Sequence, residues 1–273
     1  CHGNMPVLSK PSNSTTIKGK IFYGIFGKAG AWFRRFCAGK DNLTYSDRWI
    51  FLSEKYAENA RQIFGSEIFP SRSKDKIGFI HNPLQLQDTS DHVHKEKIIL
   101  SVGRITPGKR INLLLDAWKL LKLKWQAANW KLIIVGDGTD LDNEIKYAQQ
   151  IGCEDVTFTG FQNPSEFYAK SSIFVMTSAG EGFPMVLVEA QMNGCVPVVF
   201  DSFEALRDII TNGEDGIIVR NNDTEEYAES LFRLITDDGM RQALADNAVK
   251  SCRRFSVENI ADKWEELFSE LCG

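Results

Sequence analysis

The sequence predicts an α/β protein whose main domain is a doubly wound parallel sheet, preceded by a smaller domain. Between residues 97 and 219, six short apolar runs alternate with helical patterns, which is how parallel strands are connected. Glycine-bearing loops follow several of these runs, as expected at the ligand-binding edge of such a sheet. The predicted strands are 97–102, 131–135, 156–159, 173–176, 196–200 and 216–219.

The residues before this sheet carry weaker signals. Residues 21–36 alternate aromatic side chains with cations, which fits an amphipathic helix on an anionic membrane surface. An ordinary helix packed on the first domain explains the same pattern more simply. Residues 47–53 and 77–80 are predicted strands, and Ser53 is expected to cap a helix that ends near Phe64. The polar, aperiodic stretch 84–94 is the predicted linker.

Helices are predicted between the later strands and after the last one, at about 109–124, 139–151, 164–170, 185–193, 203–210, 223–236 and 238–252. The first has apolar residues at helical spacing along one face. A final helix has Ser256 at its N-cap and Phe255 placed to pack on Ile260. The predicted domains are 1–90 and 91–255, followed by a C-terminal helix, 256–273.

Composition excludes several classes of function. The chain has 273 residues with a net charge of −4, which gives no reason to expect nucleic acid as a partner. Residues 1–40 hold seven Lys or Arg and no acid, so the remainder has 25 basic and 36 acidic residues. Six cysteines without a C-x-x-C pair are typical of reduced thiols in a cytosolic protein and argue against a zinc site. No apolar run is long enough to cross a membrane.

An acidic loop at residues 180–184 is the strongest candidate for chemistry. Glu181 lies between two glycines after one predicted strand, and Glu189 lies eight residues later in a very apolar helix. Such a pair is often a solvated loop acid and a solvated helical acid. However, an acid among apolar neighbours needs a partner, and a sugar or ribose diol is one that a carboxylate can bind through two hydrogen bonds. The free amides after Pro184 form a site for phosphate.

Three other strand ends point toward the same edge. Gly103-Arg104 and Lys109 form a turn with two cations five apart, which suggests an anionic ligand, although a solvated basic turn is the alternative. Gly136-Asp137-Gly138 is a tight turn into a helix. Gly160-Phe161 could frame a flat base, and packing of Phe161 in the core explains it equally well.

In this order and at these strand ends, the motifs resemble the retaining family-4 glycosyltransferases of the GT-B fold. The resemblance covers about residues 45–271 and rests on Gly103-Arg104-x4-Lys109, Gly136-Asp137-Gly138, Gly160 and Glu181-Gly182-Phe183-Pro184-x4-Glu189. It implies two Rossmann-like lobes, the second of which binds the donor, and a last helix, 256–273, that returns to the first lobe. The opening strands and glycine-rich loop of the first lobe would lie upstream of Cys1, so we expect that lobe to be incomplete here, through truncation or reduction.

The resemblance also implies a role for each site residue. Arg104 and Lys109 match the pair that neutralises the diphosphate, and Glu189 matches the ribose ligand. Glu181 and the backbone of the next three residues match the donor-sugar contacts, and the amides of Met185 and Val186 match the phosphate contacts. His2 looks like the first-lobe histidine near the donor sugar, with a plain loop histidine as the alternative. The implied catalytic set is therefore Glu181, Arg104, Lys109 and His2, and the implied donor-binding set adds Gly103, Gly136, Gly160, Phe161, Gly182, Phe183, Pro184, Met185, Val186 and Glu189.

The implied function is transfer of a hexose from a nucleoside-diphosphate sugar to an acceptor hydroxyl, with retention of anomeric configuration. We expect a sugar or lipid-linked acceptor, a role in cell-surface polysaccharide or glycolipid synthesis, and no metal or cofactor. The expected location is the cytoplasm, with peripheral contact to the inner membrane face through residues 18–40 as a further expectation. The alternatives are a nucleotide-sugar binding module without transferase activity and a nucleotide-sugar epimerase of the same fold.

Overall fold

A computed structural model describes residues 46–64, 75–86, 94–125 and 129–272. His2 and the basic aromatic stretch 18–40 lie outside these ranges. The chain divides into two compact units, one formed by Cys1–His81 with Asp262–Gly273 and the other by Asn82–Ala261.

The described part of the first unit is a βαβ arrangement. Strand β1 (Trp49–Phe51) pairs in parallel with β2 (Ile77–Phe79), and helix α1 (Glu54–Phe64) connects them. The apolar face of α1 is buried with the two strands, as its sequence pattern predicts. The predicted strands 47–53 and 77–80 are therefore present in shorter form.

The predicted capping by Ser53 is wrong in its chemistry. Helix α1 begins directly after Ser53, but the Ser53 hydroxyl is fully buried and has no hydrogen-bond partner among the described residues. The Ser53 carbonyl instead accepts from the amide of Ala57 at 3.1 Å. The sequence position identified the start of the helix, and the hydroxyl does not cap it.

The second unit contains a six-stranded parallel sheet. Its strands are β3 (Glu96–Val102), β4 (Lys131–Val135), β5 (Val156–Phe158), β6 (Ser171–Met176), β7 (Val196–Phe200) and β8 (Ile217–Val219). Its helices are α2 (Ile111–Trp125), α3 (Leu141–Gln150), α4 (Ser165–Lys170), α5 (Met185–Met192), α6 (Leu206–Ile209), α7 (Thr224–Thr236) and α8 (Asp238–Ser251). The last helix, α9 (Val257–Cys272), belongs to the first unit from Asp262 onward. All neighbouring strands pair in parallel in the order β5-β4-β3-β6-β7-β8.

Burial of the central strands shows why this sheet is covered on both faces. Every residue of β6 and β7 is buried, although successive side chains point to opposite faces. A strand that is apolar throughout needs a layer of helices on each side, which is the arrangement of doubly wound sheets. The apolar face predicted for the first helix of the unit lies in this core, with Leu114, Leu115, Trp118 and Leu121 fully buried.

Two predicted helices differ from the structure at their ends. The helix predicted at 109–124 begins at Ile111, because Pro107–Lys109 form a separate 3-10 turn and Arg110 adopts a left-handed conformation with φ 51°. The helix predicted at 203–210 is a single turn, α6.

The last helix begins as predicted. The amide of Asn259 donates to the Ser256 hydroxyl at 3.2 Å, so Ser256 is the N-cap of α9, and Phe255 and Ile260 are both buried. Within the described part of the chain, we find no helix that is long and apolar enough to span a bilayer.

Candidate functional site

The site lies where the order of strands in the sheet reverses direction. After β3 the chain builds outward through β4 and β5, then returns to place β6 on the other side of β3. The loops that leave β3 and β6 therefore frame a narrow crevice at the carboxyl edge of the sheet. Ligands of open α/β sheets bind at such a switch point. The cationic turn follows β3 and the acidic loop follows β6.

The structure brings together the two charged stretches that the sequence analysis singled out. Lys109 Nζ lies 2.5 Å from Glu181 Oε1, and their side chains are only 26% and 17% exposed. Both groups are partly shielded from water, so their interaction is stronger than that of a surface pair. A cation and a carboxylate from segments 72 residues apart thus meet in one crevice.

Backbone and hydroxyl contacts fix these two stretches against each other. The amide of Ala179 donates to the carbonyl of Gly108 at 2.7 Å. The Thr177 hydroxyl lies 3.0 Å from the carbonyls of both Lys109 and Arg110. The turn after β3 and the exit from β6 therefore form one hydrogen-bonded unit, which is why Lys109 and Glu181 come together.

Arg104 lies at the rim of the same crevice. It is exposed and makes no hydrogen bond or ion pair with any residue in the described ranges. With Gly103, Lys109, Thr177 and other residues it lines a narrow recess between the ends of β3 and β6. Its guanidinium is therefore available to an anion that enters the crevice.

The acidic loop presents its backbone to the crevice and buries its aromatic side chain. Helix α5 begins at Met185, and Pro184 occupies the N-cap position with an extended ψ of 103°. The amides of Met185 and Val186 have no carbonyl one turn earlier in the helix to bond with. Phe183 is 6% exposed, and its ring packs edge-on against Phe255 with centroids 5.4 Å apart. This contact anchors the loop to the segment that precedes α9.

Glu189 has a protein partner that the sequence analysis missed. The hydroxyl of Tyr168, on α4, donates to Glu189 Oε2 at 3.0 Å. Burial and the neighbouring Glu189 carboxylate raise the pKa of the Tyr168 hydroxyl, so it stays protonated and donates. The expectation that an acid in this apolar helix needs a partner holds, although part of that need is met inside the protein. The two residues are 21 positions apart, and no spacing rule connects them.

The glycines at three neighbouring strand ends form a tightly packed row. The amide of Gly103 donates to the Val135 carbonyl at 3.0 Å, and the amide of Gly136 donates to the Gly160 carbonyl at 2.9 Å. Gly136 has φ +148°, and a Cβ atom there would lie 1.9 Å from the carbonyl oxygen of Gly103. The sequence showed only a loop at Gly136, whereas the structure requires glycine for close backbone approach.

The exposure of Phe161 excludes one of the two interpretations of this residue. Its side chain is 87% exposed at the end of β5, so the interpretation of Phe161 as a core residue is wrong. The adjacent Gly160 has φ +70° and open space around its Cα. An exposed aromatic ring beside an open backbone position is compatible with contact to a planar ligand.

No group of three His, Cys, Asp or Glu side chains suited to a metal ion occurs among the residues that the structure describes. The candidate site consists of cations, carboxylates, helix amides and glycine backbone.

A comparison with protein families assigns the part of the chain that holds this site to a known family. Residues 85–251, more than half of the chain and all of the candidate site in the second unit, match the family described as glycosyl transferases group 1. The chain belongs to this glycosyltransferase family.

Similarity to curated proteins, most of them named glycosyltransferases, covers between 64% and 97% of the chain in the three examples that follow. An α-1,4-N-acetyl-D-galactosaminyltransferase of Campylobacter jejuni, which acts on a diphospho-undecaprenol-linked saccharide, is 27% identical over 97% of the chain and 68% of its own length. The amylovoran biosynthesis glycosyltransferase AmsD of Erwinia amylovora is 32% identical over 64% of the chain and 49% of its own length. An exopolysaccharide phosphotransferase of Streptomyces coelicolor is 34% identical over 64% of the chain and 19% of its own length. The chain thus spans about half or less of the length of two of these three relatives.

Solved structures of glycosyltransferases share the fold. A mutant of S. aureus TarM, crystallised with Fondaparinux, alpha-GlcNAc-glycerol and UDP, superposes with a TM-score of 0.74 at 25% identity over 83% of this chain and 45% of that one. Anabaena HepE in complex with UDP and glucose gives a TM-score of 0.73 at 21% identity over 87% of this chain and 67% of that one. The predicted α/β fold of GT-B type, with a Rossmann-like second lobe, is confirmed.

Proposed function

We propose that this chain carries the donor site of a retaining glycosyltransferase that moves a hexose from a nucleoside-diphosphate sugar to an acceptor hydroxyl. The observation that carries the proposal is the contact of Lys109 Nζ with Glu181 Oε1 at the switch point of the sheet. In this proposal the cation of Lys109 binds the diphosphate, and the neighbouring carboxylate of Glu181 binds the sugar. The family match and the likeness to UDP-bound glycosyltransferase structures support the same assignment.

Departure of the diphosphate is the step that most needs stabilisation. Lys109 has three N–H donors, and its contact with Glu181 uses one of them. Arg104 at the rim and the first-turn amides of Met185 and Val186 supply further donors without requiring a metal. Donors fixed in place before the reaction stabilise developing charge at little cost in reorganisation.

The two carboxylates are assigned to the sugar and the ribose. Glu181, held by Lys109, is placed to accept hydrogen bonds from hydroxyls of the transferred sugar. Glu189, held by Tyr168, is placed to accept from the ribose diol. The base is then directed toward Gly160 and the exposed ring of Phe161.

The acceptor and the setting are further parts of the proposal. The Campylobacter relative acts on a diphospho-undecaprenol-linked saccharide, and the Erwinia relative takes part in amylovoran biosynthesis. By analogy we assign a sugar or lipid-linked acceptor and a role in cell-surface polysaccharide or glycolipid synthesis. A cytoplasmic protein that touches the inner membrane face through residues 18–40 fits such an acceptor.

A panel of donors tests the assignment. UDP-glucose, UDP-N-acetylglucosamine, UDP-N-acetylgalactosamine and GDP-mannose are each added to the protein, and thermal shift and nucleotide release are recorded. One of them should raise the melting temperature, because a ligand of the folded state alone stabilises that state. The anomeric configuration of the product, measured by NMR, tests retention.

Substitution of the cation tests its role. With the donor that turns over, Lys109→Met should lower kcat/KM by about 10²-fold or more, the typical effect of losing one such electrostatic donor. Lys124→Met is the matched control, because Lys124 forms an exposed ion pair with Glu225 on the helices. Near-normal transfer by Lys109→Met would refute the diphosphate role. Donor binding without any transfer would indicate a binding module instead.

A further inference from the structure

Arg110, the residue after Lys109, has an unusual backbone conformation. Its φ of 51° and ψ of 46° lie in the left-handed region, and it ends the 3-10 turn Pro107–Lys109. For a residue with a Cβ, this conformation is sterically unfavourable. Such outliers persist where surrounding contacts stabilise them, and they cluster at functional sites.

The guanidinium of Arg110 connects the ends of three strands. Nε donates to the carbonyl of Thr177 at 2.7 Å, and Nη2 donates to the carbonyl of Ser178 at 2.6 Å, where the chain leaves β6. Nη1 and Nη2 donate to the side-chain oxygens of Asn222 and Asn221, at 2.5 and 3.0 Å, where the chain has left β8. Arg110 itself follows β3. One side chain therefore ties together the exits of β3, β6 and β8.

These contacts bear directly on the acidic loop. Thr177 and Ser178 lead from β6 toward Glu181, which lies four positions after Thr177 and three after Ser178. The guanidinium also lies over the ring of Phe200 at the end of β7, 5.6 Å from its centroid. All four hydrogen-bond acceptors are neutral oxygens, so the guanidinium is held by its fork geometry and not by a carboxylate.

We propose that Arg110 is a positioning residue that sets the separation between the cation of Lys109 and the carboxylate of Glu181, and so pre-organises the donor site. The proposal rests on the proposed function, because the separation matters only if one donor molecule binds both groups. Arg110 does not contact the donor. It acts by fixing the backbone of residues 177–178 against the turn that carries Lys109.

Replacement by glycine separates this role from a general effect on stability. Arg110→Gly removes all four hydrogen bonds and also relieves the left-handed strain, because glycine adopts positive φ without penalty. Arg110→Lys keeps the charge and the strain but lacks the fork that reaches two carbonyls at once. Asn129→Gly is the control for strain relief alone, since Asn129 has φ 68° in the turn before β4, at the opposite edge of the sheet.

The test measures UDP affinity by calorimetry, kcat and KM for the panel donor that turns over, and hydrogen exchange of peptides covering residues 177–182. Arg110→Gly should raise the dissociation constant of UDP and the donor KM about tenfold, with faster exchange in 177–182, because small displacements of binding groups weaken a site by up to about 10²-fold. Arg110→Lys should resemble Arg110→Gly, and Asn129→Gly should resemble the wild type.

Three results would overturn the proposal. An unchanged donor KM in Arg110→Gly, with only a lower melting temperature, would leave Arg110 a general stabilising residue. Full rescue by Arg110→Lys would show that charge matters and that the fork does not. A wild-type protein that binds no UDP and turns over no donor would refute the proposed function itself. That outcome differs from turnover with an unchanged donor KM in Arg110→Gly, which refutes only the role of Arg110.

Discussion

The hydrogen bond from Tyr168 to Glu189 shows how one hydroxyl can determine the geometry of a carboxylate that we propose to bind the donor. Glu189 stands on a helix whose neighbouring residues are almost all buried, and Tyr168 itself is 3% exposed. A buried hydroxyl that donates to a carboxylate fixes the rotamer of that carboxylate and leaves its remaining lone pairs for a ligand. Tyr168 thereby belongs with the site although its ring is in the core.

Tyr168→Phe should weaken binding of UDP by about 3- to 30-fold. The substitution removes one hydrogen bond to a charged group, typically worth about 1.5–3 kcal/mol, part of which is lost from folding stability and part from binding. Calorimetry with UDP measures the binding part. Tyr147→Phe is the matched control, because Tyr147 donates to Asp116 Oδ1 at 2.7 Å, outside the acidic loop and the cationic turn. Equal effects of the two substitutions on UDP affinity would contradict the role of Tyr168.

We expect the stability of the folded protein to depend on pH through the carboxyl group of Glu144. Burial raises the pKa of this carboxyl to about 7, the amide of Asn112 counteracts the shift, and Asp140 and Asp116 add to it. Because its pKa is higher in the folded than in the unfolded state, stability falls as the pH rises from about 4.5 to 7. Glu144→Gln removes this penalty, so it should increase the free energy of unfolding by roughly 1–3 kcal/mol at pH 8 and much less at pH 4.5.

Urea unfolding at the two pH values measures the effect of Glu144→Gln. Glu229→Gln, at an exposed position on α7, serves as the control and should change stability little at either pH. A gain from Glu144→Gln that is the same at both pH values would mean that ionisation of Glu144 is not the cause.

At the scale of elements, hydrogen bonds join the loops at the strand ends to one another. The exits of β3, β4 and β5 are joined by backbone hydrogen bonds between glycine-containing loops, and the exits of β3, β6 and β8 are joined by Arg110. Parallel strands place all of these exits at one edge, so short loops suffice to connect them. The crevice between β3 and β6 is therefore framed by a continuous network and not by independent loops.

Gly136→Ala should destabilise the second unit by about 2–5 kcal/mol, because the new Cβ would overlap the Gly103 carbonyl and force the backbone to move. The control is Gly152→Ala, which has φ +64° but no atom within 4 Å of the new Cβ, and which should cost only about 1–2 kcal/mol. Thermal and urea unfolding compare the two. If both substitutions cost the same, the close approach at Gly136 carries no energetic weight.

At the scale of the whole molecule, the second unit is a complete doubly wound sheet with its own core, and the described part of the first unit is one βαβ arrangement. Every group of the candidate site that the structure describes lies in the second unit. The proposed donor-binding contacts can therefore be tested by substitutions within that unit. The proposed part of His2 and the membrane contact of residues 18–40 concern residues outside the described ranges and stay predictions.

The sequence by itself determined the alternation of strands and helices along the chain, the approximate bounds of most strands, the parallel sheet and the edge at which the candidate groups lie. It could do so because strands such as β6 and β7 are apolar throughout, and because helical periodicity and glycine loops are local signals. It also identified Lys109 and Glu181 through motif spacing. Only the tertiary structure decided which groups are in contact: the Lys109–Glu181 pair, the Tyr168–Glu189 hydrogen bond, the hydrogen bonds of the Arg110 guanidinium and the close approach of the backbone at Gly136. These contacts join residues far apart in the chain, and their geometry depends on strand order and loop packing that no local pattern encodes.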